Sequence, residues 1–256
     1  MRRSSFVLLA PAAALSLALA ACDAGSKPGE TPADSGPHLS FTAPRMDQVF
    51  EGEKVEVLFD LRNYEIGMVD AGKNGQHLHL IVDNEPYKAI YDVSNAITLD
   101  PKLLTEGTHV LRAFPSAGPK DAHGAVEHES RKNPGAYAWV RFHVKHKGGP
   151  LAEFDASAPL LTYSRPKGEY KVGSPNQTRF LVDFYVNNAK LGKGDYSVVA
   201  SLDGKKIGEY FEWTRIFADT PPAAGDHVMT LELFDREGKA VAGPFNKTER
   251  KFKVVP

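Results

Sequence analysis

Residues 59–67 read FDLRNYEIG and residues 184–192 read FYVNNAKLG, so the pattern Phe-x-Leu/Val-x-Asn-x-x-Ile/Leu-Gly recurs at an offset of 125. Four further pairs extend the match. Upstream, SFTAPR (40–45) answers TYSRPK (162–167). Downstream, LHLIVDNEPY (78–87) answers VVASLDGKKI (198–207), which sets Asp83 over Asp203. EGTHVLRAF (106–114) answers AGDHVMTLE (224–232) and sets His109 over His227, and WVRFHV (139–144) answers ERKFKV (249–254). The chain is an internal duplication, and each copy has the length of one domain. The expected organisation is a first domain over 38–148, a connection over 149–157 whose glycines and prolines suit a short link, and a second domain over 158–256.

Both copies alternate with period two. Val55, Val57, Phe59 and Leu61 are separated by polar residues, as are Phe180, Val182, Phe184 and Val186. Turn signals such as Glu51-Gly52, Asp83-Asn84, Asp203-Gly204 and Glu237-Gly238 punctuate these runs. Helical periodicity is not evident after the first twenty-two residues. Many short strands without helices predict an all-β fold, two tandem immunoglobulin or fibronectin type III-like β-sandwiches. Cys22 is the single cysteine, so no disulfide can form within the chain and each sandwich must hold itself together by its hydrophobic core.

Residues 1–22, MRRSSFVLLAPAAALSLALAAC, join a basic start at Arg2 and Arg3 to an apolar run and then to small residues. That order is a secretory signal, with residues 1–21 removed. The ending Leu19-Ala20-Ala21-Cys22 resembles the bacterial lipobox, which implies acylation of Cys22 and an envelope location, facing the periplasm or the exterior. Residues 22–37, rich in Gly, Pro, Ser and Asp, then read as a flexible tether between the lipid and the folded part. No later apolar run approaches transmembrane length, so membrane contact is expected through the lipid alone. With 31 basic and 32 acidic residues and a formal charge of −1, the chain offers nothing that attracts nucleic acid.

The nine histidines divide into kinds. His109 and His227 occupy equivalent places in the two copies, so a structural role is expected, each ring partly buried and hydrogen-bonded near a strand start. His77 and His79 have no counterpart, since the second copy carries Ser197 and Val199 there. Leu78, Leu80 and Val82 should face the core, which sends His77 and His79 to the outer face of the same strand. The first copy, over about residues 41–144, resembles uncharacterised bacterial envelope immunoglobulin-like domains with a His-x-His-Leu-Ile-Val-Asp strand followed by a Leu-x-x-Gly-x-His-x-Leu-Arg strand. That likeness implies fold and compartment and no particular activity.

Two loops of the first copy are longer than their counterparts. The longer of them carries His123, Glu127, His128 and Glu129. One outer face should therefore collect His77, His79, Arg112, Phe114, Tyr137 and Trp139. Large aromatics and arginine on a wet face are typical of binding surfaces. Three readings stand open: docking of an envelope protein or polysaccharide; Cu(II) or Zn(II) held by His77 and His79 with His123 or His128, since imidazole suits both ions; or cover by the second domain. No nucleophile elbow, phosphate-cradling glycine loop or zinc-protease helix occurs, and a non-enzymatic chain is expected. The expected function is that of a membrane-anchored envelope lipoprotein serving as a binding or structural module.

Overall fold

The computed structural model describes residues 36–52, 54–67, 75–117, 129–130, 134–212 and 216–256. The expected signal segment and Cys22 lie outside the described residues. The first copy supplies β1 (His38–Ala43), β2 (Gln48–Phe50), β3 (Glu56–Arg62), β4 (His77–Val82), β5 (Lys88–Ile90), β6 (Ile97–Thr98), β7 (Gly107–Ala117), β8 (Glu129–Ser130) and β9 (Ala138–Val144). One sheet runs β1-β3-β6. The facing sheet runs β2-β9-β7-β4-β5, with β8 paired to β7.

The second copy supplies β10 (Leu160–Arg165), β11 (Gly168–Lys171), β12 (Leu181–Asn187), β13 (Ser197–Leu202), β14 (Lys205–Tyr210), β15 (Ile216–Phe217), β16 (Gly225–Phe234) and β17 (Lys247–Val255). Its sheets run β10-β12-β15 and β11-β17-β16-β13-β14, the same order strand for strand. The match extends to register. Leu39 faces Leu61 as Leu161 faces Val186, and both ladders slip at the same place, before Ala43 and before Arg165. β2 runs parallel to β9, as β11 does to β17. The chain is two tandem β-sandwiches of immunoglobulin or fibronectin type III class. Among the described residues, regular helix is limited to one short turn at Pro175–Thr178 and two 3-10 turns.

Alternation fixes each core. Leu78, Leu80, Val82, Leu111, Ala113, Ala138, Val140, Phe142 and Val144 pack with Val55 and Val57 in the first sandwich. Val182, Phe184, Val186, Val198, Ala200, Met229, Leu231, Leu233, Phe252 and Val254 do so in the second. The inward sets read from the period-two pattern are the ones observed.

A clamp at the β4–β5 and β13–β14 turns is built twice. Asp83 and Asp203 hold left-handed backbone, at φ 49° and 50°, which short polar side chains tolerate. That turn aims each carboxylate at the neighbouring strand. Asp83 accepts from His109 Nδ1 at 2.7 Å and from the Val110 amide at 2.8 Å. Asp203 accepts from His227 Nδ1 at 2.7 Å and from the Val228 amide at 2.8 Å. The far nitrogens donate to carbonyls, His109 Nε2 to Thr105 at 2.8 Å and His227 Nε2 to Ala223 at 2.9 Å. Each ring stacks on a core phenylalanine, Phe142 or Phe252. Because both nitrogens face acceptors, only the imidazolium satisfies both bonds. Burial alone would lower the pKa of either histidine, but the Asp and carbonyl bonds outweigh it and raise both.

Leu80 is 2 % exposed, whereas Leu58 is 39 % exposed on the outer side of β3. Leu80→Ala should lower unfolding free energy by about 2–5 kcal/mol, while Leu58→Ala should change it by no more than about 0.5 kcal/mol. Denaturant melts of the two variants check both values.

Candidate functional site

The strand β4 is buried on both sides. Leu78, Leu80 and Val82 enter the first core, and His77, His79 and Ile81 point the other way, into the second domain. The cover is the outer side of β10 and β12. Along those strands Leu161, Tyr163 and Phe184 belong to the second core. Alternation then turns Leu160, Thr162, Ser164, Asp183 and Tyr185 outward, and all five are nevertheless buried.

The six residues expected on a wet binding face are thus brought together, but the face is not wet. His77, His79 and Phe114 are 0 % exposed and Arg112 is 1 % exposed. Tyr137 and Trp139 are half-buried. Tyr137 lies 5.0 Å from the Tyr185 ring and its hydroxyl is 3.2 Å from Thr162 Oγ1. Trp139 meets Phe154 edge-on at 5.5 Å. Of the three readings, cover by the second domain is the arrangement observed. A period-two pattern shows which side chains leave the core and cannot show what lies beyond them. His123 and His128 fall outside the described residues. Among the described residues, no group of three or more His, Cys, Asp or Glu is placed to hold a metal ion.

Two apolar patches carry the junction. Val110, Leu160 and Phe245 pack with Leu151 and Phe154, which come from the connecting stretch. Ile81, Tyr87 and Phe114 pack with Tyr185. Between them lies Arg112. Its guanidinium donates to Thr162 Oγ1 at 3.0 Å, to the Leu161 carbonyl at 3.4 Å and to the Asp83 carbonyl. The group also lies 3.8 Å over the Phe245 ring. Burial lowers its pKa from the ordinary guanidinium value, and its Nε has no hydrogen-bond partner among the described residues. The β4–β5 turn adds two bonds: Thr248 Oγ1 donates to Asn84 Oδ1 at 3.2 Å and Arg250 Nη2 donates to the Asn84 carbonyl at 2.5 Å.

The histidines form a short polar chain. His77 Nδ1 donates to the Gly75 carbonyl at 2.8 Å. That leaves His77 Nε2 as a lone pair, 3.2 Å from His79 Nε2. His79 Nδ1 lies 3.2 Å from Ser164 Oγ of the second domain. Two neutral rings satisfy this chain when His79 Nε2 donates to His77 and Ser164 donates to His79 Nδ1. His79 also stacks on Tyr87 at 3.5 Å with the rings nearly parallel, and Lys167 Nζ sits 4.0 Å over that same tyrosine ring. Burial, first, and the nearby Arg165 and Lys167 charges push the His77 pKa down against the bond to Gly75.

Tyr87, Thr162, Ser164, Tyr185 and Phe245 are the junction residues that pattern reading missed. One signal was available. Aligning the copies sets Leu160 and Tyr185 against His38 and Asp60, apolar against polar on an outward parity, which marks the second copy's face as covered.

No family model matches the chain, and no curated protein matches it. Among solved structures it is similar to the fibronectin(III)-like modules of Clostridium thermocellum CbhA, with 12% identity, 84% of this chain and 93% of that one covered and a TM-score of 0.28. It is similar also to Bacteroides ovatus SGBP-B of a mixed-linkage glucan utilization locus, in complex with a mixed-linkage heptasaccharide, at 13% identity over 86% and 70% of the two chains with a TM-score of 0.23. The central fibronectin-III array of RIM-binding protein matches at 9% identity over 87% and 70%, with a TM-score of 0.26. Likenesses this distant say nothing of ligands or partners.

The two kinds of histidine respond to pH in opposite senses. His109 has a raised pKa, so its bonus is complete below the unfolded value of 6.5 and is lost as pH rises through the folded value. His77 has a lowered pKa, so its contribution is complete above 6.5 and is lost as pH falls toward the folded value. Melting temperatures from pH 5 to 8 should show His109→Gln trailing the wild type most at the acid end. His77→Gln should gain on the wild type as pH falls.

Arg112 gives a second test. Arg112→Ala should cost about 3 kcal/mol or more, through a cavity and orphaned carbonyls, whereas Arg112→Met, which fills the space but leaves the same carbonyls unpaired, should cost less, about 1–3 kcal/mol. Equilibrium unfolding of both variants measures the difference.

Proposed function

We propose that this chain is a lipid-anchored protein of the bacterial envelope in which two sandwiches, locked face to sheet, act as one non-enzymatic binding or structural module. The observation that carries this reading is the buried Arg112, held by three oxygens and one ring drawn from both domains. Free tandem modules do not enclose an arginine between them. A junction of this kind suits a part that holds a fixed shape at a surface, and the lipobox-like Leu19-Ala20-Ala21-Cys22 supplies the means of holding it there. Spin labels at Lys54 and Lys239, both exposed, test the shape. A narrow distance distribution is expected in the wild type and a broad one in Arg112→Ala; breadth in the wild type rejects a fixed pair. For the anchor, an alkyne fatty acid fed to cells should label the wild type and not Cys22→Ala. An unlabelled wild type rejects the lipoprotein reading.

A second reading keeps Cu(II) or Zn(II) at His77 and His79, and one observation favours it. If His79 Nδ1 is the donor to Ser164, both Nε2 lone pairs face each other across 3.2 Å, close to the roughly 3.3 Å between two imidazole nitrogens on one tetrahedral zinc. Both outer nitrogens would then be oriented by oxygens, as in ligating histidines. Titration of the chain beginning at Asp23 with either ion should raise the melting temperature of the wild type and leave His77→Ala/His79→Ala unmoved. No shift in the wild type rejects the metal.

A further inference from the structure

Each sandwich has a groove between its first and last strands, and the two grooves differ in what fills them. In the second sandwich the groove lies between β10 and β17, and the first domain occupies it. Arg112 reaches the Leu161 carbonyl and Thr162 Oγ1, the Asn84 turn meets Thr248 and Arg250, and Tyr87 lies under Lys167. In the first sandwich the equivalent groove, of about 430 Å³, lies between β1 and β9 and is lined by Leu39, Ser40, Phe41, Arg45, Trp139 and Val140.

On the β10 side the receiving residues are retained there, whereas Thr248 and Arg250 of β17 stand against Ala138 and Val140. Aligning SFTAPR with TYSRPK sets Leu39 on Leu161, Ser40 on Thr162, Phe41 on Tyr163, Pro44 on Pro166 and Arg45 on Lys167. The register around them is the same. Among the described residues, nothing bonds the Ser40 hydroxyl or accepts from the Arg45 guanidinium. Met46 is 48 % exposed at the mouth, where the second sandwich has Gly168. The inserting residues, by contrast, are not retained in the second copy. At the positions of His79, Asn84, Tyr87, Arg112 and Phe114 stand Val199, Gly204, Ile207, Thr230 and Glu232. In a second copy of this chain the first domain's inserting residues are held in its own junction, and its second domain lacks them.

We propose that the open groove of the first sandwich receives a β-hairpin of an immunoglobulin-like module on another polypeptide, one that presents an aromatic ring to Arg45 and a cationic or amide donor to Ser40. The proposal rests on the reading of the chain as an envelope module and names the partner of that module. Its chemistry follows the filled groove, where Tyr87 meets the lysine and Arg112 meets the hydroxyl. The exposed Met46 at the mouth supplies further apolar contact.

The test uses the intact chain in its own cells, with p-benzoylphenylalanine at Met46 as the photoreactive probe and the same residue at Lys239 as control. The expected result is one discrete adduct from position 46, whose cross-linked peptide maps to a hairpin of an immunoglobulin-like module and carries an aromatic and a basic or amide residue. Arg45→Glu should abolish that adduct without moving the melting temperature. An adduct with a second copy of this chain, no adduct beyond the control, or an adduct indifferent to Arg45→Glu overturns the proposal. Fatty-acid labelling of the same cells separates the two levels. Labelled protein without the adduct rejects the groove alone, and unlabelled protein rejects the envelope reading beneath it.

Discussion

The junction depends on a guanidinium with no carboxylate partner among the described residues. Taking a cation out of water costs several kcal/mol, and Arg112 recovers this from carbonyl and hydroxyl dipoles and from the face of Phe245 rather than from an opposite charge. Such recovery is demanding in geometry. Asp83 belongs to the first domain, Leu161, Thr162 and Phe245 to the second, and a shift of either by more than about an ångström would break bonds that have no replacement in the interior. The apolar patches on either side of Arg112 provide adhesion, while the arginine fixes which relative placement is occupied.

Asp83 ties that junction to the older, duplicated part of the fold. Its carboxylate belongs to the clamp on His109 and Val110, which Asp203 repeats on His227 and Val228. Its carbonyl accepts from Arg112, a bond with no equivalent in the second copy, where Thr230 stands at that position. The clamp therefore orients the turn in both sandwiches. Only in the first is the oriented turn also part of a contact between domains. Loss of the Asp83 clamp should disturb the junction as well as the sandwich, whereas loss of the Asp203 clamp should be confined to its own domain.

Much of this was legible in residues. The repeat at 59–67 and 184–192 gave the number of sandwiches, alternation gave both cores, and the equivalence of His109 with His227 gave their structural role before any bond was seen. The face of His77, His79, Arg112, Phe114, Tyr137 and Trp139 was also correctly gathered. Its exposure was not, because alternation reports only the two sides of a strand, and both the solvent and a second domain count as outside. The correcting signal was in the other copy. Tyr185 and Leu160 are apolar where outward polarity is expected, and a surface composed that way needs a partner.

The same comparison explains why the two sandwiches are not interchangeable. Glu249 and Lys251 stand exposed, and Thr230 and Glu232 half-exposed, where the first domain has Trp139, Arg141, Arg112 and Phe114. Burying that set against another sandwich would strand charges without partners, a cost that a few apolar contacts do not offset. The second domain's outer face is thus suited to water, as the outer face of a capping unit is. The first domain departs from that symmetry on one side only. Its inserting face is fully engaged, while Ser40 and Arg45 keep the receiving chemistry that Thr162 and Lys167 use. An asymmetry of this kind gives the pair a direction, with one end polar and the other still able to accept a hairpin.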